Sequence, residues 1–141
     1  MLQLKYPNYP FKIKGATDQE LIFDDIRKKW FRLTPEEWVR QNIIQYLIQV
    51  LQYPAALMAI EKEIKLGELK KRCDIVIYKD NQPWMIVECK ELNVPMSEAV
   101  LQQILNYNMT LKVPFIAISN GNQTWLAETQ TRQWLAEFPK W

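Results

Sequence analysis

The sequence predicts an α/β protein in which a mixed β-sheet is flanked by two main helices. Short runs of β-branched and aromatic residues, typical of strands, recur along the 141 residues. Two longer segments, 34–51 and 97–111, instead repeat apolar residues at the spacing of an amphipathic helix. A helix between two strands implies a parallel pair joined by a right-handed crossover, while hairpins give antiparallel pairs, so the sheet should be mixed.

Composition indicates one globular domain and excludes several classes of site. Hydrophobic residues make up 48% and charged residues 24%, which are ordinary values for a globular chain. Histidine is absent, which excludes histidine-based triads and histidine-ligated zinc. No apolar run reaches the roughly 20 residues of a membrane span and no signal-peptide pattern opens the chain, so a cytoplasmic protein is expected. The net charge of +2 does not by itself indicate a nucleic-acid binder.

The chain is divided into an N-terminal β extension (1–33), a core (34–120) and a C-terminal extension (121–141). In the first part, an arm with two prolines precedes two short strand patterns, FKIK and ELIFDD, and then RKKWFRL. Two interpretations are open for the basic residues of RKKWFRL. They either contact a phosphate backbone or form the solvated face of a charged edge strand. These residues are Lys28, Lys29 and Arg32.

The segment TPEEWVRQ predicts the start of the first helix. Thr34 is expected at the N-cap and Pro35 at the first helical position, and Glu37 would complete a capping box. Glu36 and Arg40 head the apolar stripe that must pack on the sheet. Glu36 is therefore either directed towards the sheet edge or paired with Arg40 one helical turn away, and both can hold together.

The segment RCDIVIYKDNQPWMIVECK predicts a β-hairpin around which the chain is organised. The runs IVIY and WMIV are of strand length, and DNQP between them carries turn residues. A three-residue loop at 80–82 places Asp74 opposite Glu88, whereas a two-residue loop separates them unless the hairpin contains a bulge. Cys73 and Cys89 would then be neighbours on the opposite face, as buried free thiols rather than a disulfide.

Facing carboxylates at positions 74 and 88 indicate a divalent-cation site. Two carboxylates without an arginine between them repel each other unless a cation lies there. Carboxylate oxygens and water are the ligands that Mg²⁺ prefers, and a bound ion lowers the pKa of its water. Because side chains alternate along a strand, Lys90 shares the face of Glu88 and would orient the attacking water or neutralise developing charge. The alternative is a solvated hairpin end with a surface Glu–Lys pair.

Positive charge is concentrated just before this hairpin. The stretch ALMAIEKEIKL predicts the preceding strand, in which Glu61 and Glu63 either face solvent or pair with lysine, or one of them reaches the site. Lys70, Lys71 and Arg72 follow, and they either draw a nucleic-acid backbone towards the site or form a solvated turn.

The second helix is predicted to begin at Ser97 and to carry two polar residues on its buried face. Gln103 and Tyr107 fall on that stripe, where a polar group needs a partner. Gln103 would orient Lys90 or contact a phosphate, and Tyr107 would anchor the nucleic-acid strand or be a core tyrosine. The predicted stripe consists of Val100, Gln103, Ile104, Tyr107 and Leu111. The run VPFIAIS then predicts a buried strand, followed by a C-terminal hairpin or strand–helix pair.

An aspartate, a hairpin, Glu-x-Lys and a helix with Gln-x3-Tyr together resemble the PD-(D/E)xK nuclease superfamily. The closer resemblance is to the N-terminal nuclease domain of type I restriction enzyme R subunits. It is carried by TPEEWVRQ, KKRCDIVIY, VECK, QILNYN and VPFIAISNG, while the proline that the family has before the aspartate is replaced by Cys73. The resemblance implies a restriction-endonuclease-like core.

The resemblance also implies a Mg²⁺-dependent or Mn²⁺-dependent endonuclease that acts on DNA, in restriction or defence. Partners would be DNA, other restriction subunits and a second copy of the chain. The alternative is a catalytically silent nucleic-acid-binding or assembly module with the same fold. The metal ligands would be Asp74, Glu88, Glu36 and the backbone carbonyl of Cys89. The remaining site residues would be Lys90 and Gln103 in catalysis, and Lys70, Lys71, Arg72 and Tyr107 on the nucleic acid.

Overall fold

The computed structural model describes residues 1–141, with the exception of the side chain of Leu66. The N-terminal strands are β1 (Ile13–Lys14), β2 (Leu21–Asp24) and β3 (Lys29–Arg32). They form a three-stranded antiparallel sheet with β2 in the middle. The arm before β1 reaches the rest of the protein at a β-bridge between Leu2 and Thr124. The short strands predicted here are confirmed.

The first helix, α1 (Pro35–Gln45), begins as predicted and continues into a π-helical turn at Tyr46–Val50. The side-chain oxygen of Thr34 accepts a hydrogen bond from the N–H of Glu37 at 3.0 Å, which confirms the N-cap. The predicted capping box is wrong in its other half. The carboxylate of Glu37 is buried and accepts hydrogen bonds from side chains instead of from the N-cap backbone. Those donors are Arg27, Arg40 and Gln41.

The remaining strands form a six-stranded mixed sheet in chain order. They are β4 (Met58–Leu66), β5 (Leu69–Lys79), β6 (Gln82–Cys89), β7 (Phe115–Ser119), β8 (Thr124–Glu128) and β9 (Gln133–Trp134). Only β6 and β7 pair in parallel, and the helix α2 (Glu98–Met109) connects them. Ser97 caps α2 by accepting the N–H of Val100 at 3.3 Å. The parallel crossover and the C-terminal hairpin of β8 and β9 are therefore confirmed.

The two helices pack on opposite faces of the six-stranded sheet, which confirms the predicted α/β architecture. On the α1 face the buried side chains include Val39, Ile43, Leu47, Ile75, Ile77 and Val87. On the α2 face they include Leu101, Leu105, Ile116 and Ile118. Among the described residues, no helix is long and apolar enough to cross a membrane.

The buried face of α2 was predicted incorrectly: the observed face is displaced by about one residue from the predicted one. The fully buried positions are Leu101, Leu105 and Asn108, whereas Gln103 is exposed and Tyr107 is 55% exposed. The polar Asn108 is tolerated in this stripe because its side-chain amide donates to the backbone carbonyl of Ile104 at 2.9 Å. Gln103 and Tyr107 are therefore available to solvent and ligands.

The hairpin of β5 and β6 aligns its carboxylates by a different route from the one expected. Its loop is the two-residue turn 80–81, with φ of 54° and 63°, which matches the backbone of a type I′ turn. The three-residue loop is therefore wrong. The pairing instead shifts between Ile77 and Tyr78, so that a bulge restores the parity and brings Asp74 level with Glu88.

The two cysteines are buried and free, as predicted, but they are not neighbours. Cys73 packs with Val76 and Ile86 on the α2 face, while Cys89 lies in the cluster beneath α1. Strict alternation would have put Cys73 on the α1 face, so β5 changes face at Asp74, where the regular pairing with β4 is interrupted. Burial raises the pKa of the Cys73 thiol to about 11.

Candidate metal and catalytic site

Asp74 and Glu88 lie together where β5 and β6 separate. The Oδ2 atom of Asp74 accepts a hydrogen bond from the backbone N–H of Cys89 at 2.8 Å, so this carboxylate spans the gap between the strands. Glu88 is only 7% exposed. Burial is the main cause that raises the pKa of Glu88, Lys71 opposes it, and contact with Asp74 raises it further. The two acids therefore share one poorly solvated location.

Two protein cations compensate for the charge of these carboxylates. Lys71 Nζ lies 2.5 Å from Glu88 Oε1, and Arg40 Nη2 lies 2.9 Å from Asp74 Oδ1. The expectation that the two acids lack compensating charge without a bound ion is therefore wrong, although neither cation lies between them. Each carboxylate instead carries its own cation, one supplied by α1 and the other by β5.

Arg40 is a site residue that sequence reasoning did not select. It is 5% exposed, and its guanidinium also contacts Glu37 at 2.7 Å and Glu61 at 3.0 Å. Burial disfavours its charge, but the hydrogen bond to Asp74 and the charge of Glu37 outweigh burial and raise the pKa of Arg40. Its signal in the sequence was a charged residue on the apolar stripe of α1. Such a residue must find partners inside the protein.

Glu36 lies at the rim of the site rather than at its centre. Its side chain is 50% exposed and contacts Arg40 at 3.4 Å, so the intrahelical pair weighed as an alternative is present. Partial burial is the main cause that raises its pKa, Asp74 adds to the effect, and Lys90 opposes it. Among the described residues, no group of three or more acidic or cysteine side chains is placed to hold a metal ion.

A cleft of about 250 Å³ on the α2 side contains most of the remaining candidates. Its polar walls are Lys71, Glu88, Lys90, Gln103 and Tyr107. The backbone N–H of Lys90 donates to the carbonyl of Ser119 at 2.8 Å, which holds this lysine at the end of the sheet. Gln-x3-Tyr thus faces the cleft although neither residue is buried. Lys71 Nζ also lies 5.2 Å from the ring centre of Tyr107.

A second cleft, of about 310 Å³, opens on the α1 side of Asp74. Its charged lining comes from α1, from β4 and from the end of β3. The residues concerned are Arg32, Glu36, Glu37, Arg40 and Glu61. Asp74 pairs with Arg40, which lines this cleft, and raises the pKa of Glu88, which lines the first cleft, so Asp74 lies between the two.

Comparison with protein families gives one match, over residues 35–139, which is most of the chain. The matching family is the type I restriction enzyme R protein N terminus. The chain belongs to this family. A search of curated proteins finds no match. The resemblance inferred from the motifs is confirmed, and the three-stranded sheet of β1 to β3 lies outside the matched range.

In this member of the type I restriction enzyme R family, two of the three basic residues before Asp74 already have acidic partners. Lys71 pairs with Glu88, and Arg72 Nη2 lies 2.6 Å from Glu61 Oε2. Lys70 is exposed. Glu61 bridges Arg72 and Arg40 instead of pairing with lysine, which agrees with the alternative that one of the two glutamates reaches the site.

The acid pair has the donor chemistry that a hard divalent ion prefers. Carboxylate oxygens are available from Asp74 and Glu88 at a location with little water. Glu88 Oε1 is buried and, among the described residues, receives no hydrogen bond of good geometry despite the nearby ammonium of Lys71. An acceptor in this state fits a metal ligand. Glu36 is a candidate for an additional, outer contact because of its position at the rim.

Proposed function

We propose that this protein is a Mg²⁺-dependent nuclease that hydrolyses DNA phosphodiester bonds, in restriction or defence. The observation that carries the proposal is the pair of Asp74 and Glu88 at the point where two strands separate, with Lys90 in the adjoining cleft. Membership of the type I restriction enzyme R family supports the same activity.

Asp74, Glu88 and the backbone carbonyl of Cys89 would hold Mg²⁺ or Mn²⁺, with Glu36 as an outer ligand. When bound, such an ion supplies a water of lowered pKa and stabilises negative charge on the phosphate. Arg40 and Lys71 hold the two carboxylates in position beforehand through ion pairs. Both ion pairs would have to loosen when a cation binds. Arg40, Lys71 and the cation are all positively charged, and they would repel each other beside the same two carboxylates.

Lys90 would act on the reacting groups from the α2 cleft. Its ammonium can hold the attacking water by a hydrogen bond and neutralise charge that develops on the phosphate oxygens. Gln103, in the same cleft, would orient Lys90 or contact the scissile phosphate. Tyr107 and the exposed Lys70 would contact the nucleic acid at the entrance, and Lys71 and Arg72 would do so where their acidic partners release them.

Partners and setting follow the same proposal. The substrate would be DNA, and other restriction subunits would be the protein partners. A second copy of the chain would be needed for a double-strand cut. The cytoplasm is the compartment in which such an enzyme would meet DNA.

A cleavage assay with matched variants tests the nuclease proposal. Labelled DNA is incubated with the wild type, Asp74→Ala, Lys90→Ala and the control Lys112→Ala, which changes an exposed lysine away from both clefts. We expect the first two variants to lose at least about 100-fold in rate in Mg²⁺, and the control to match the wild type. Nicking that persists in both site variants would indicate a contaminant and contradict the proposal.

A second function, a silent nucleic-acid-binding or assembly module, is favoured by one observation. Arg40 and Lys71 already neutralise the two carboxylates without an ion. A screen of DNA and RNA substrates with Mg²⁺ and Mn²⁺ separates the two functions. Binding without cleavage under every condition would favour the module.

A further inference from the structure

The three-stranded N-terminal sheet has two faces of different character. Its inner face carries Ile22 and Asp24, both fully buried, and Phe31, on whose ring Arg27 stacks at 3.4 Å. Arg27 in turn pairs with Glu37 of α1 at 3.0 Å, so this face is attached to the helix. The inner face is therefore occupied by the protein itself.

The outer face combines basic and aromatic side chains in two cross-strand rows. Lys14, Leu21 and Arg32 are successive partners in one row. Phe23 and Trp30 are partners in the next. Lys14 Nζ lies 4.1 Å from the ring centre of Trp30, and this ring is 36% exposed. Basic side chains of the outer face therefore pack on aromatic rings at the protein surface.

The cations of the outer face have no acidic partner. Lys12, Lys14 and Arg32 are all exposed, and among the described residues none of them forms an ion pair. The arginines nearest the candidate site are paired, as described above. An exposed cation without a partner is the kind of group that can exchange its counterions for a phosphate.

The N-terminal segment is also more basic than the rest of the chain. Residues 1–33 contain seven basic residues (Lys or Arg) and four acidic ones (Asp or Glu). Residues 34–141 contain eleven basic and twelve acidic residues. The positive net charge of the protein therefore comes from the N-terminal segment. A surface of this sign attracts a polyanion before contact is made.

Arg32 connects the outer face to the candidate site. It belongs to the row of Lys14 and also lines the cleft that contains Glu36 and Arg40. Asp74 is next to this cleft, because it pairs with the lining residue Arg40 at 2.9 Å. A backbone lying along the outer face would thus meet this cleft at Arg32, beside the carboxylates of Glu36, Glu37 and Glu61.

From these observations we infer that the outer face of the N-terminal sheet binds the phosphate backbone of a nucleic acid and directs it to the cleft at Asp74. The contacts come from Lys12, Lys14 and Arg32, outside the range of the family match. The inference rests on the proposed function for the identity of the polyanion. Since Lys14 covers the ring of Trp30, the contact is with phosphates and carries no base specificity.

A binding assay in EDTA tests the surface separately from catalysis. Fluorescence anisotropy is measured with a short labelled DNA duplex and a matched single strand over a range of salt concentrations. The test variant is Lys12→Gln/Lys14→Gln/Arg32→Gln. The control is Lys112→Gln/Arg132→Gln/Lys140→Gln, which removes the same charge from exposed residues elsewhere. Circular dichroism verifies that both variants are folded.

We expect the test variant to bind duplex at least about tenfold more weakly than the wild type at moderate salt. The slope of log affinity against log salt should fall by roughly 2 to 3, because each phosphate contact contributes about 0.9. The control should remain within about twofold of the wild type. Equal affinities for the test and control variants would overturn the inference, as would a wild type that binds neither form of DNA.

Two further outcomes separate this inference from the nuclease proposal. A wild type that binds DNA through these residues but never cleaves it supports the surface and contradicts the nuclease. Competition by polyglutamate that equals competition by unlabelled DNA, at matched charge, would overturn the assignment to nucleic acid.

Discussion

Arg40 connects the first helix to the acid pair through a single guanidinium. Arg40 is only 5% exposed and contacts Asp74, Glu37 and Glu61. Removing its charge would leave these carboxylates without a cation in a poorly solvated place, which lowers the stability of the folded protein. We therefore expect Arg40→Met to lower the free energy of unfolding by about 3 to 5 kcal/mol, measured by urea denaturation.

The matched control for this change is Arg72→Met. The side chain of Arg72 is 69% exposed and pairs with Glu61 alone. An exposed pair contributes roughly 0 to 1 kcal/mol, so this variant should unfold almost like the wild type. Equal losses in the two variants would show that burial of the guanidinium does not matter.

Asp74 and Glu88 should respond differently to replacement by the neutral amide. Burial raises the pKa of Glu88 despite Lys71, so the charge of this carboxylate costs more free energy in the folded protein than in water. Glu88→Gln should therefore maintain or raise the melting temperature without metal. Asp74→Asn loses its ion pair with Arg40 and should lower it. The repulsion that the sequence predicts between the facing carboxylates is therefore offset at Asp74 by Arg40.

Added Mg²⁺ provides the second part of this experiment, read by differential scanning fluorimetry. An ion that binds only the folded state stabilises the wild type by about 2.7 kcal/mol at 100 times its Kd. Both amide variants should lose this shift. A variant that responds to Mg²⁺ like the wild type would remove the proposed metal site.

At the scale of elements, β2 and α1 are joined by the buried Asp24. Its carboxylate accepts hydrogen bonds from the backbone and side chain of Arg27 and from Gln41 of α1. Burial alone would raise the pKa of Asp24, but these hydrogen bonds outweigh it and lower the pKa below 3.8. Because the folded pKa is the lower one, the stabilisation is present above about pH 4 and is lost as the pH falls through the folded pKa.

Asp24→Asn should therefore destabilise the protein at pH 7 by about 2 to 4 kcal/mol and weaken the loss of stability below pH 4. Thermal unfolding at several pH values measures both effects. Asp18→Asn, on an exposed turn before β2, is the control and should change neither. A pH profile of Asp24→Asn that parallels the wild type would contradict the assignment.

Sequence patterns predicted the elements better than the faces that they bury. The N-cap residues Thr34 and Ser97 were found correctly because a cap is a local interaction. The buried face of α2 was not, because Asn108 is buried through a hydrogen bond to Ile104 that apolar periodicity does not detect. The alignment of Asp74 with Glu88 was predicted correctly, but the three-residue loop that was to produce it was not. A β-bulge aligns the two residues instead.

For the whole molecule, sequence predicted the mixed sheet with a helix on each face but not how the N-terminal sheet attaches. That attachment depends on tertiary ion pairs such as Arg27 with Glu37, and the sequence does not distinguish such partners from ordinary surface charges. The same limit left the partners of Arg40 and Glu61 undetermined, while the parity of the hairpin predicted that Asp74 and Glu88 lie opposite each other.

Hydrogen exchange should separate the two sheets of the protein. They share no strand pairing apart from the isolated bridge at Leu2, and the ion pairs and hydrogen bonds of Asp24 and Arg27 link the N-terminal sheet to α1. The strands β5, β6 and β7 are buried on both faces and should exchange most slowly. In Asp24→Asn, amides of β2 and β3 should exchange at least about tenfold faster, while those of β6 and β7 change less, since local opening then precedes global unfolding. Asp18→Asn should leave both sheets unchanged. Equal acceleration of both sheets in Asp24→Asn would instead mean that they unfold together, with Asp24 stabilising the whole molecule rather than one attachment.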